Sequence, residues 1–186
     1  MKLTPVIATL RARCPLFQNR VAGAAQFKDL PEVGKMLLPA AYVVPGDDSP
    51  GEQKSQTDYW QTLREGFSVI VFVSNSRDER GQFASFDVVH EVRQTLFKAL
   101  LGWNPEEHGN PITYDGGTLL DVNRHELSYQ FDFSVESELT EDDTRQQDEL
   151  NDLDDFKTLF IDVDFIDPGQ GPDGEIEHHL EINLPT

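Results

Sequence analysis

Two hydrophobic periods organise the chain. Over residues 67–74 the sequence FSVIVFVS sets Phe67, Val69, Val71 and Val73 on one side and Ile70 and Phe72 on the other, which predicts a central strand covered on both faces. Residues 59–64 extend it. From residue 85 to 103 the period changes. Phe86, Val89, Val92, Leu96, Ala99 and Leu100 recur at three- and four-residue steps, with Asp87, Glu91, Arg93 and Lys98 elsewhere on the wheel. That spacing predicts the main helix, laying one apolar stripe on the sheet and stopped by Gly102 and Pro105. A shorter helix over Leu3 to Arg13 starts at Thr4-Pro5, aligns Val6, Ile7 and Leu10, and ends at Cys14-Pro15.

The remaining segments read as strands and turns. Residues 17–29 suggest an irregular strand, 30–39 loop and turn, and 39–45 a short strand bounded by prolines. Residues 46–55 (GDDSPGEQKS) are rich in turn formers and charge, predicting an exposed, mobile loop, and 75–81 a charged turn. Strands are expected at 112–114, 118–122 and 126–135, separated by turns at Asp115-Gly116-Gly117 and Asn123-Arg124-His125. In the last of them Leu127, Tyr129, Phe131, Phe133 and Val135 alternate with polar residues, as in a strand with one wet face. A short helix is expected near 147–153. Alternating segments at 159–165 and 175–184, joined by a Gly/Pro turn at 168–174, predict a hairpin, either an edge extension of the sheet or an appended arm. The fold class is α+β: a single mixed or antiparallel sheet packed by one long and one short N-terminal helix, with a C-terminal hairpin extension. The expected division is 1–137, followed by an acidic connector and hairpin at 138–186 as an extension of the same domain.

Charge sharpens this picture. The 186 residues carry 15 Lys/Arg against 34 Asp/Glu, a formal net charge of −19, which disfavours a general nucleic-acid-binding role. The acid is concentrated: residues 1–98 hold 12 Lys/Arg and 11 Asp/Glu, whereas 99–186 hold 3 and 23. A negative run over Glu138 to Asp155 suits a solvated connector, or a surface facing a basic partner or repelling a polyanion. The N-terminal apolar stretch is too short for a secretory signal and no window reaches the roughly 18 apolar residues that span a bilayer, so a cytosol-like setting without membrane contact is expected.

Candidate chemistry is sparse. A lone Cys14 cannot form an internal disulfide and has no histidine nearby in sequence, which points to a structural thiol. There is no GxSxG elbow and no GxxxxGK[ST] or GxGxxG phosphate loop. His90 falls beside the apolar stripe, as a partly buried structural histidine would. Asp162 and Asp164 share a strand face, and His178 or His179 across the hairpin offers an imidazole; since adjacent histidines point to opposite faces, at most one could join them. This leaves a metal-dependent hydrolase on Asp162, Asp164 and a histidine as one alternative, and an acidic DNA mimic that occupies a basic groove as another.

The order of segments is more informative. Residues 38–45 (LPAAYVVP), then 67–74 followed by Asn75, Arg77-Asp78 and Gly81, then Val92 to Leu101 running into Gly102-Trp103-Asn104-Pro105, then Tyr114-Asp-Gly-Gly-Thr-Leu-Leu120 and Leu127-Ser-Tyr-Gln-Phe131, resemble the tail terminator (tail completion) proteins of long-tailed bacteriophages. The likeness covers roughly residues 3–136. It implies a small α+β virion protein without catalytic residues or cofactors. Such proteins form a ring, usually of six copies, on the head-proximal end of the tail tube after assembly in the host cytoplasm. The implied partners are other copies of the chain, the tube protein and the head-tail connector, with DNA passing through unbound. The candidate interaction residues are Asp47, Asp48, Glu52 and Lys54 of the 46–55 segment, and Glu141, Asp142, Asp143, Asp148, Glu149, Asp152, Asp154 and Asp155 of the acidic run.

Overall fold

A computed structural model describes residues 1–23, 37–75, 85–105, 109–164, 174, 176 and 178–184. Most of the expected loop at 30–39, the charged turn at 75–81 and the Gly/Pro turn at 168–174 lie outside the described residues, as does the side chain of Phe86. The chain divides into two compact units, Met1–Glu141 and Asp142–Thr186.

Among the described residues, the first unit is a five-stranded sheet with two α-helices. Helix α1 (Leu3–Arg13) and a 3-10 turn (Pro15–Phe17) lead to β1 (Val21–Gly23), β2 (Ala40–Gln53), β3 (Gln61–Ser74), α2 (Ser85–Leu100), β4 (Thr113–Val122) and β5 (Glu126–Leu139). The strand order is β1-β2-β3-β5-β4, with β1 parallel to β2 and every other pair antiparallel. The expected mixed sheet and its two helices are therefore present. The long β3–β5 ladder pairs Gln61 with Leu139 at one end and Ser74 with Glu126 at the other.

The core lies on one face of this sheet. Phe67, Val69, Val71 and Val73 of β3 and Leu127, Phe131, Phe133 and Val135 of β5 pack with Val6 and Leu10 of α1 and with Val92, Leu96 and Leu100 of α2. Aromatic rings knit it further: Phe67 stacks on Phe133 at 5.5 Å, and Tyr114 meets Phe97 at 4.7 Å and Phe133 at 5.5 Å. Arg93, placed by its spacing off the apolar stripe, instead sets its guanidinium 5.9 Å from the rings of both Tyr129 and Phe131, its aliphatic stem covering the sheet. His90 is exposed and meets Gln94 Nε2 at 2.9 Å, correcting the expectation of partial burial; one helical step is enough to move it from the stripe to solvent.

The other face of β3 is also buried over its inner half, as expected of a strand covered twice. Among the described residues both helices of this unit join the core on the Phe67 face. On the reverse face Ser68 is 8% and Ile70 5% exposed, Ile70 lies opposite Tyr42 in the register, and the Tyr42 and Phe72 rings meet edge to face at 5.8 Å. Ser68 Oγ donates to Asp132 Oδ1 at 2.6 Å, and Gln130 Nε2 donates to the same oxygen at 2.7 Å.

Two segments read as turns are strand. Residues 46–53 form the outer half of β2, paired with β3 from Asp48↔Glu65 to Gln53↔Gln61. Prolines 45 and 50 are tolerated because β1 pairs only with Ala41–Val43, so the outer side of β2 beyond that point has no neighbour among the described strands. The register shifts after Pro45 and after Pro50. At the first shift the backbones crowd: a Cβ on Gly46 would stand 2.9 Å from the Gly66 carbonyl carbon, and one on Gly66 2.9 Å from the Asp47 oxygen. Asp115-Gly116-Gly117 likewise lies within β4, at a bulge between Tyr114 and Gly116, so the expected strands at 112–114 and 118–122 are one. Gly117 is crowded there, since a Cβ would come within 2.8 Å of the Tyr114 hydroxyl and 2.7 Å of the Tyr129 ring, so a larger residue would displace these rings. The other expected turn holds: Asn123 Oδ1 accepts from the backbone N–H groups of His125 at 2.9 Å and Glu126 at 3.0 Å, closing the β4–β5 hairpin.

The second unit contains helix α3 (Arg145–Asn151), which starts two residues before the expected position because Thr144 caps it, accepting from the Gln147 N–H at 3.3 Å. Strands β6 (Thr158–Val163) and β7 (His178–Asn183) then form the expected antiparallel hairpin, as a separate two-stranded sheet.

Two outcomes follow. Cys14 is fully buried at the end of α1, and burial pushes its thiol from 9.0 up to about 11. Alkylation of the native protein at pH 8 should then be about 100-fold slower than that of the urea-unfolded chain, from thiolate fraction alone. Stability should hold below about pH 9 and fall as the pH rises toward 11, because only the unfolded thiol ionises in that window. A native thiol that reacts at the unfolded rate would contradict the burial. At the crowded bulge, Gly66→Ala should cost about 1–3 kcal/mol in urea unfolding. Gly51→Ala, whose Cβ would sit at an ordinary 3.4 Å from Thr62 O, should stay within about 1 kcal/mol of wild type. Equal midpoints for the two variants would remove the steric account.

Candidate interaction surfaces

The outer ends of three strands continue past the packed core as a ribbon: residues 46–53 of β2, 61–66 of β3 and 136–139 of β5. Its side chains are mostly exposed, which is why its composition resembles a loop. The tip is closed by polar bonds. Ser55 Oγ accepts from the N–H groups of Thr57 at 3.3 Å and Asp58 at 3.1 Å, Gln53 Nε2 donates to Asp58 O at 2.9 Å, and the Lys54 N–H donates to Trp60 O at 2.8 Å.

All four candidates in this segment lie on the ribbon, but in different settings. Asp47, Asp48 and Glu52 are exposed along β2. Lys54 stands 5.0 Å from the Trp60 ring and 3.8 Å from Glu138, so the cation is partly matched at the tip. Beside it Tyr59 and Trp60 are 41% and 44% exposed, an aromatic pair presented at the end of a rigid arm. Sequence reasoning took them as strand extension; the available signal was two adjacent rings between polar residues with no alternation to bury them.

At the root of the arm a shallow groove of about 460 Å³ gathers Asp47, Asp115 and Asp132. Two of its carboxylates are engaged internally. Arg64 pairs with Asp115 and donates through Nε to Ser134 Oγ at 2.9 Å, and Asp132 accepts from Ser68 and Gln130. These side-chain bonds tie β3, β5 and β4 together across the groove.

The second set of candidates is acidic throughout. Glu141, Asp142, Asp143, Asp148, Glu149, Asp152, Asp154 and Asp155 are all exposed. Arg145 Nε reaches Glu149 at 2.7 Å, an exposed i,i+4 pair of small energetic weight. Residues 142–186 carry 14 Asp/Glu and 2 Lys/Arg, net −12.

The metal alternative is tested on the hairpin. Asp162 and His179 meet side by side in a hydrogen-bonded contact between Oδ1 and Nδ1, and Asp164 Oδ2 accepts from the Gly174 N–H at 2.9 Å. His178 sits opposite Val163, one register step away. Among the described residues no group of three His, Cys, Asp or Glu side chains is placed to hold a metal ion. No described helix is long and apolar enough to cross a membrane.

No curated protein matches the chain. Residues 1–144 do match a protein family, phage tail terminator proteins, and the matched span contains the entire five-stranded sheet, both helices packed on it and the projecting ribbon. The resemblance drawn from segment order thus extends through the whole first unit, and the chain belongs to the phage tail terminator family, whose members are structural proteins of the virion tail.

Proposed function

We propose that this protein caps the head-proximal end of the tail tube as a ring of about six copies, stops addition of tube subunits and presents the surface to which the head connector joins. The observation that carries this reading is the family match over residues 1–144. The ribbon supplies a physical means. A three-stranded arm held by backbone pairing can reach past its own core without collapsing, and its tip offers Tyr59 and Trp60, residue types that concentrate binding energy at interfaces. The acidic 142–186 segment suits a passage for DNA, because like charge opposes adhesion of the polyanion within about 8 Å of the surface at physiological salt.

Tube subunits polymerised with the protein present should stop at a defined length and carry label at one end in electron micrographs; without it they should overgrow. Tubes whose length is indifferent to the protein would overturn the reading. The double variant Tyr59→Ser, Trp60→Ser should fold with stability within about 1 kcal/mol of wild type, since neither ring belongs to the core, yet fail to arrest growth. Arrest at the normal length by this variant would dismiss the arm tip as the contact. Replacing Glu141, Asp142, Asp143 and Asp148 by Gln and Asn should give assembled rings a measurable affinity for duplex DNA at low salt that fades as salt rises. No gain in affinity would remove the electrostatic role of these four residues.

A further inference from the structure

Helices α1 and α2 pack together and finish beside the same groove. Arg13 in the last turn of α1 and Lys98 in the last turn of α2 rim a cavity of about 390 Å³ floored by Leu101, Gly102 and Trp103. Both cations are exposed and neither makes an ion pair among the described residues. Leu101 is 38% exposed and Trp103 half-buried, so the floor is apolar and reachable. In a chain of net charge −19, two cations without an ion pair among the described residues, lining one cavity with an indole and a leucine, form a binding surface for something acidic and apolar at once.

The same chain carries such a segment. Residues 150–156, LNDLDDF, alternate Leu150, Leu153 and Phe156 with Asp152, Asp154 and Asp155. The three apolar side chains are 51%, 67% and 65% exposed, and the three aspartates make no ion pair among the described residues. Large apolar groups left this open at the end of a short helix lack the burial that would stabilise them.

We infer that the 150–156 segment of one copy seats in the Arg13–Lys98 groove of the next, with its apolar side chains against Leu101 and Trp103 and its aspartates at the two cations. Charge complementarity selects the orientation. The groove and the segment are different surfaces of one chain, so the contact is head to tail. A contact of that kind closes into a ring when its rotation divides a full turn, whereas a self-complementary patch stops at a dimer. The inference gives the proposed ring its copy-to-copy contact and rests on that reading only for the ring's purpose.

The test uses the full chain in sedimentation velocity. Arg13→Glu with Lys98→Glu makes a groove-reversed variant; Asp152→Lys, Asp154→Lys and Asp155→Lys make a segment-reversed one. All five positions are exposed, so circular dichroism and melting should match wild type. Wild type should self-associate, less so at 0.5 M salt than at 0.05 M. Each variant alone should associate at least about tenfold more weakly, since like charges would then face each other. Mixed in equal amounts, the two variants should recover assembly, because each reversed surface then meets its opposite. A wild-type chain that stays monomeric, variants that associate like wild type, or a mixture that fails to recover would each overturn the inference, including the case in which the segment serves a different basic-grooved partner. The capping assay separates the two readings: wild-type protein that arrests tube growth while these variants behave like wild type sinks the contact and leaves the function standing.

Discussion

Everything in the first unit depends on the unbroken antiparallel ladder between β3 and β5, each strand of fourteen residues. A one-residue slip in this register would turn Phe67, Val69, Val71 and Val73 away from the helices and Ser68, Ile70 and Phe72 toward them. Because inward and outward residues of β5 alternate with opposite chemistry, the register is set by burial over its inner half. The outer half has no core to set it, yet continues in step because the backbone is continuous. The arm is thus positioned by hydrophobic packing that lies entirely elsewhere. Arg64, bonded to Ser134 and paired with Asp115, fastens the joint between the two halves across three strands.

What could be read in the sequence follows from this division. The buried half of β3, the α2 stripe and the aromatic alternation of β5 were legible, because burial imposes a period that survives in the residue types. The outer half of β2 was not. A strand with one neighbour and two wet faces needs no alternation, and with no neighbour on its outer side it admits Pro45, Pro50 and Gly51, so GDDSPGEQKS carries the composition of a loop. The information that makes it a strand resides in its partner, residues 61–66. Gly116-Gly117 misled for a related reason: the glycine is there to lie beneath Tyr114 and Tyr129, a contact visible only once β4 and β5 are paired. Of the candidate interaction residues, the acidic ones were legible as exposed because charge resists burial. Tyr59 and Trp60 were missed because aromatic residues near a strand are ordinarily assigned to a core.

The charge imbalance along the chain acquires a structural boundary. The first unit holds the core and the arm and carries 13 Lys/Arg against 20 Asp/Glu, with Arg64 and Lys54 meeting acidic partners at its sheet surface. The larger excess resides in the second unit, whose hairpin keeps Leu159, Ile161, Leu180 and Ile182 partly exposed on one face and Asp162, His179 and Glu181 on the other. An isolated two-stranded sheet is marginal in water, so burial of that apolar face by a neighbour would contribute to ordering the segment that carries the charge.

The prolines of β2 bear on a hazard common to projecting sheets. An exposed strand edge offers a row of unpaired backbone groups to which another strand can add, and repeated addition yields an open fibre. Along the free side of β2 an incoming strand would find no amide hydrogen at Pro45 or Pro50, two shifts of register that break its line, and the carboxylates of Asp47, Asp48 and Glu52. A protein that belongs to a tail of finite length therefore carries, along a strand edge that no other described strand pairs, a chemical refusal to template further growth.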